Sequence, residues 1–159
     1  MSIQPGDRLP DVPLQRIGTG VETVETRDLF DDKKVVLFAV PGAFTPTCSE
    51  KHLPGYVAHF DDFHRKGIKL ACMSVNDPFV MQAWGKSQHV PDELMMLADG
   101  NAQFTRALGL EMDASAYGMG TRSKRFALYV EDGIVKKVFV EAPGEFHVSS
   151  AEYVLSQLP

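Results

Sequence analysis

A chain of 159 residues can bury one hydrophobic core without disulfide or metal staples, and is shorter than two ordinary domains require, so a single domain over residues 1–159 is expected. With 44% hydrophobic and 23% charged residues it is composed like a folded globular protein, which excludes a disordered or fibrous chain. The net charge of −5 is modest and the Lys and Arg residues are scattered, so no phosphate-tracking surface and no nucleic-acid partner are expected.

Nowhere do 18 uncharged apolar residues occur in succession, and residues 1–13 lack a basic stretch followed by an apolar run. The expectation is a cytoplasmic protein with no membrane association. In chain order, the first strong signal is Val35 to Val40 (VVLFAV), a continuous apolar run ending at Pro41-Gly42, as a central strand covered on both faces would be. Leu53, Tyr56, Val57, Phe60 and Phe63 then recur at helical spacing as far as Lys66-Gly67, and Pro54 should kink that helix. Ile68 to Val75 reads as a second buried strand, and Pro78 to Ser87 as a helix capped by Asn76 or Asp77.

Met95 to Ala98 is predicted as a short strand and Asn101 to Leu108 as a short helix. Phe126 to Val130 and Ile134 to Val140 flank Glu131-Asp132-Gly133, and Asp-Gly suits the positive φ of a tight hairpin. Residues Ser150 to Gln157 close the chain as a helix that directs Tyr153, Val154 and Leu158 toward the core. This order predicts an α/β domain with a mixed central sheet flanked by helices, a thioredoxin-like fold with insertions.

Chemistry-bearing residues concentrate just after the first buried strand, in Pro41-Gly42-Ala43-Phe44-Thr45-Pro46-Thr47-Cys48-Ser49-Glu50. Thr47-x-x-Glu50 matches a capping box, which would make Cys48 the first helical residue. Free amides and the helix dipole at that position stabilise a thiolate, the nucleophilic form of cysteine. The bland alternative is a small apolar helix residue. Cys72 lies on one face of a central strand in the alternation Ile68, Leu70, Cys72, Ser74, where a thiol is sheltered, so it is read as structural rather than resolving. Two cysteines and five histidines without ligand spacing exclude a disulfide scaffold and give no metal site; no cofactor is expected.

The segments PGAFTPTCS, HLPG at 52–55, SVNDPFVMQAW at 74–84 and KRFALYVEDG at 124–133 resemble a peroxiredoxin of the type II, or peroxiredoxin-5, subfamily nearly end to end. The resemblance implies that Cys48 is the peroxidatic cysteine, with Thr45 contacting the peroxide, Pro41 shielding the pocket and Arg125 beside the sulfur. It also places Gly42 and Phe44 in the substrate-binding loop. Arg125 is chosen over Arg122 on the KRF match alone. The implied substrates are hydrogen peroxide and organic hydroperoxides, reduced through a sulfenic acid.

Members with an intramolecular disulfide carry a second cysteine near the C-terminus, whereas Phe146-His147-Val148-Ser149-Ser150 has none. One-cysteine turnover is therefore expected, with glutathione and glutaredoxin, or thioredoxin, as the external reductant. A homodimer through loops around the active site, involving Phe44 and the Phe79-to-Trp84 segment, is implied as well. Two other functions compete. A dithiol oxidoreductase would need Cys-x-x-Cys, and Thr45 stands where its first cysteine would be. A redox-sensing binding module would oxidise Cys48 without sustained turnover.

Overall fold

A computed structural model of the chain describes residues 2–159; Met1, the first residue of the expected domain, lies outside them. Among the described residues nine strands form: β1 (Leu14–Ile17), β2 (Val21–Val24), β3 (Lys34–Ala39), β4 (Ile68–Ser74), β5 (Met95–Ala98), β6 (Glu111–Asp113), β7 (Thr121–Ser123), β8 (Phe126–Glu131) and β9 (Ile134–Val140). Seven of them form one sheet in the order β2-β1-β5-β4-β3-β8-β9, and β6 and β7 pair separately. The mixed character is set around β3, which runs parallel to β4 and antiparallel to β8.

Burial on both faces follows directly from the apolar run in β3. Val36, Phe38 and Val40 enter the core beneath α2 (Leu53–Ala58), α3 (Phe60–Arg65), α4 (Pro78–Ser87) and α6 (Ala151–Ser156). Val35, Leu37 and Ala39 face the opposite core, shared with α1 (Thr26–Phe30) and α5 (Gln103–Leu108). An uninterrupted apolar strand is the pattern that covering on both sides demands. The Asp-Gly hairpin forms as expected: Asp132 and Gly133 take φ values of 49° and 75°, a pair of positive angles that twists β8 onto β9.

Three readings change. The helix expected over 53–66 is two segments, broken at His59, whose φ and ψ of −100° and 11° leave the helical range. Pro54 does not break the chain's helical path; instead a π-helical turn, Cys48–His52, precedes it, and the Leu53 amide reaches back five residues to the Cys48 carbonyl. A widened turn is one way to accommodate a proline that lacks a donor and crowds the carbonyl before it. The helix expected from Asn101 starts at Gln103, because the Asp99 carboxylate caps it through the Phe104 and Thr105 amides. The β1–β2 hairpin, α1 and the β6–β7 hairpin were not predicted; their strands are three or four residues long and carry little periodicity.

Strand directions gather the site. The C-terminal ends of β3, β4 and β9 and the start of β8 lie at the same end of the sheet, with Ala39 opposite both Met73 and Phe126, and Val140 opposite Phe126.

Candidate active site

Cys48 does not open its helix. Helical backbone begins at Pro46, and the first bond of the turn runs from the Ser49 amide to the Thr45 carbonyl. Thr47 already has helical angles, φ −63° and ψ −37°, and makes no side-chain cap, so the expected capping box does not form. Proline suits the first helical position because its missing N–H would be unpaired there, and this moves the helix start upstream of Thr47. Cys48 still lies in the first turn, where the amides that precede the first intrahelical bond are free.

The Cys48 side chain is fully buried, and its sulfur accepts a hydrogen bond of 3.3 Å from Arg125 Nη2. Arg125 Nη1 donates to His52 Nδ1 at 2.9 Å. Because guanidinium can only donate, His52 Nδ1 must be unprotonated, which puts the ring proton on Nε2, 3.1 Å from the Ser149 carbonyl that accepts it. Tyr56 gives the same carbonyl a second bond, at 2.7 Å. Burial, then the Arg125 charge, hold the His52 pKa at about 3 against the Ser149 carbonyl, so the ring is neutral. Phe146 covers this pair from the loop after β9, its ring centroid 5.2 Å from that of His52 and 5.9 Å from Arg125 Cζ.

The loop between β3 and the helix is pinned rather than loose. The Asn76 side-chain oxygen accepts from the Ala43 amide and from the Ser74 hydroxyl. Thr45 donates its hydroxyl to the Gly42 carbonyl at 2.6 Å rather than to the sulfur, leaving its lone pairs to accept a proton from a ligand. Pro41 is half-buried directly beyond β3, and Phe44 is 56% exposed with a left-handed φ of 64°. A Cβ on Gly42 would lie 3.1 Å from Met119 Cε, 3.2 Å from Thr45 Cγ2 and 3.3 Å from Arg122 Nη1, so glycine is what lets these groups close over the loop.

Arg122 is committed elsewhere, bonded to the Met119 and Val75 carbonyls, while Arg125 faces the sulfur. Cys72 is a free, fully buried thiol in the middle of β4, opposite Phe38 on β3 and Met96 on β5. Burial first, and the neighbouring Cys48 second, push its pKa well up and suppress its thiolate. In the segment after Asn76 only part faces outward: Phe79 is 64% exposed, whereas Met81 and Trp84 are core, with Trp84 Nε1 donating to Ser49 Oγ.

Sequence reasoning weighed the histidines only as metal ligands and missed His52. The available signal was its spacing of four from Cys48 on one helix, which places both side chains toward one neighbour. Ser149 and Glu141, which anchor the network from the last loop, had no local signature.

The redoxin family model matches residues 4–155. Peroxiredoxin-2E, chloroplastic, of Arabidopsis thaliana is 50% identical and aligns over 99% of this chain and 70% of its own length. Peroxiredoxin-2B of the same plant is 45% identical over 96% of each. Among solved structures, reduced Prx3 of Vibrio vulnificus in complex with H2O2 superposes with a TM-score of 0.94 at 50% identity, covering 98% of both chains. With a buried cysteine in the first turn of a helix, a guanidinium on its sulfur and relatives of this kind along its whole length, the chain belongs to the redoxin family as a peroxiredoxin of the type II branch, a thiol-dependent peroxidase.

Proposed function

We propose that Cys48 is the peroxidatic residue and that Arg125, Thr45 and Pro41 shape its reaction with hydrogen peroxide and alkyl hydroperoxides. The observation that carries this reading is the Arg125 Nη2 contact of 3.3 Å with the Cys48 sulfur. The thiolate attacks the terminal peroxide oxygen: an S–O bond forms, the O–O bond breaks and sulfur is oxidised by two electrons. The proton of the attacked oxygen passes to the leaving oxygen, which departs as water or alcohol, and the sulfenate takes up a solvent proton.

Arg125 stabilises the thiolate and the charge developing on oxygen with one rigid, permanently charged fork. Thr45, its own proton held by Gly42, accepts from the peroxide. Pro41 shields the mouth, and Gly42 and Phe44 line it. An external thiol, glutathione with glutaredoxin or thioredoxin, then supplies two electrons and releases water from the sulfenic acid. No cysteine stands in 146–150, and Cys72 is structural in this reading. Because Cys48 is fully buried, a protein reductant requires the 46–52 turn to open.

The active form is a homodimer through the exposed rings of Phe44 and Phe79. Among the described residues no helix is long and apolar enough to cross a membrane. The proposed location is the cytoplasm.

Steady-state peroxide consumption with glutathione plus glutaredoxin and, separately, with thioredoxin tests the reading. Turnover lost only in Cys48→Ser supports it and reveals the reductant. Loss in Cys72→Ser as well would make Cys72 a resolving cysteine. Sulfenylation of Cys48 without turnover by any thiol would favour a peroxide sensor.

A further inference from the structure

We propose that Glu141 is a positioning residue for Arg125, acting on its guanidinium through Ser149 and His52. This rests on the reading of Arg125 as the group that holds the peroxide. Glu141 lies one residue past the end of β9 and is only 7% exposed. Among the described residues no lysine, arginine or histidine side chain lies within ion-pair distance of it. A buried carboxylate without a counter-ion is costly unless donors surround it.

Three donors converge on its Oε2: the His147 amide at 2.6 Å, the Ser149 amide at 2.9 Å and the Ser149 hydroxyl at 2.7 Å. Burial pushes the carboxyl pKa up, but the bonds from Ser149, His147 and Val148 outweigh it and hold the group ionised below its ordinary range.

From Ser149 the path continues through a carbonyl that His52 shares with the Tyr56 hydroxyl. The Ser149 carbonyl accepts from His52 Nε2, which fixes the tautomer, and the bare Nδ1 then accepts from Arg125 Nη1. The second arm of the same guanidinium reaches the Cys48 sulfur. Glu141 also donates its own backbone N–H to the Arg125 carbonyl at 3.0 Å. One residue therefore holds Arg125 at both ends, by the main chain at its carbonyl and by a relay at its tip.

The intervening residues 142–147 are mostly exposed, and Phe146, which lies against His52 and Arg125, is the half-buried one among them. Without the carboxylate the loop keeps the Tyr56 bond to the Ser149 carbonyl but loses the three that hold the His147 and Ser149 amides and the Ser149 hydroxyl, so the carbonyl is free to shift over His52.

A plain loop staple would produce much of the same geometry, so the test asks whether the effect runs through Arg125. Second-order rate constants for hydrogen peroxide, and the high-pH limiting constants for alkylation of Cys48 by iodoacetamide, where the thiol is fully ionised, are measured for Glu141→Asp, Glu141→Gln and Ser149→Ala, in wild type and in an Arg125→Lys background. Shortening the side chain in Glu141→Asp should lower the peroxide constant by about tenfold, the scale of one charge-assisted hydrogen bond, with alkylation changed by less than about twofold. Glu141→Gln, with equal reach and one acceptor oxygen, should recover most of the rate.

Ser149→Ala, which removes one donor and threatens the fold least, should cost about threefold. In the Arg125→Lys background all three should cost less than about twofold, because groups acting through one another are not additive. The same losses in both backgrounds, wild-type rates for Glu141→Asp and Ser149→Ala, or parallel losses in alkylation would each overturn the inference. An Arg125→Lys single variant as fast as wild type would instead remove the underlying reading of Arg125, and the inference with it.

Discussion

Replacing His52 by phenylalanine keeps an aromatic ring in a fully buried slot beside Phe38, Tyr56 and Phe146, and removes only the two ring nitrogens. Arg125 Nη1 loses its acceptor, while the Ser149 carbonyl still keeps the bond from Tyr56. A buried donor left without a partner costs about 1–3 kcal/mol, and the half-buried position of Arg125 favours the lower half of that range. If the cost falls on the transition state, where the guanidinium must face sulfur and peroxide together, the rate drops by about tenfold, since about 1.4 kcal/mol is one power of ten.

Stopped-flow mixing with peroxide reads this through Trp84, the one tryptophan, whose Nε1 bonds Ser49 next to Cys48. His52 titrates near 3, so the rate profile between about pH 5 and 8 should keep its shape in the variant and move down as a whole. A peroxide rate within twofold of wild type, or a profile altered in that window, would refute the claim that neutral His52 orients Arg125.

Gly42→Ala should slow the peroxide reaction severalfold, because its methyl would press on Met119 and on the Thr45 side chain; Met119→Ala in the same chain should restore part of the rate by vacating that space. Cys72→Ala should turn over like wild type and lose about 1 kcal/mol in urea unfolding, as a small buried truncation does; a lost turnover would contradict its structural role. Acid stability has two terms of the same sign. The His52 pKa is depressed, so the unfolded chain binds an extra proton as pH falls from 6.5 toward about 3, and stability drops across that window. Glu141 is also depressed from 4.5, so its contribution is present above that value and lost as pH falls below it. Urea midpoints measured over pH should therefore decline less steeply in His52→Phe through the upper window and in Glu141→Gln through the lower; unchanged slopes would count against both assignments.

Much of the scaffold was legible because its elements are local in cause. VVLFAV is apolar on both faces of a strand, Asp132-Gly133 supplies the angles of a tight hairpin, and Asp77 and Ser150 cap their helices through the Val80 and Tyr153 amides. The start of the active-site helix was misread because two local rules competed: Thr47-x-x-Glu50 looked like a cap, and Pro46 occupied the first helical position instead. The resemblance implied the Phe79-to-Trp84 segment as part of a dimer interface, whereas its apolar composition alone suits a core; helical geometry divides it, burying Met81 and Trp84 and exposing Phe79.

By itself the amino-acid order determined the α/β class and singled out Cys48, just past a buried strand, as the candidate thiol, because strand burial, turn chemistry and a proline-flanked loop act over a few residues. It also carried the family motifs. The KRF match named Arg125, but only three dimensions supply the physical reason: Arg122 and Arg125 are three residues apart, and β8 starting opposite the end of β3 turns Arg125 inward while the β6–β7 hairpin holds Arg122 against Val75. The network behind Arg125 joins residues 48, 52, 125, 141 and 149, and no periodicity links positions that meet only because β3, β8 and β9 share one end of a sheet. Side-chain hydrogen bonds of that range follow from packing, which the order of residues encodes only through the whole fold.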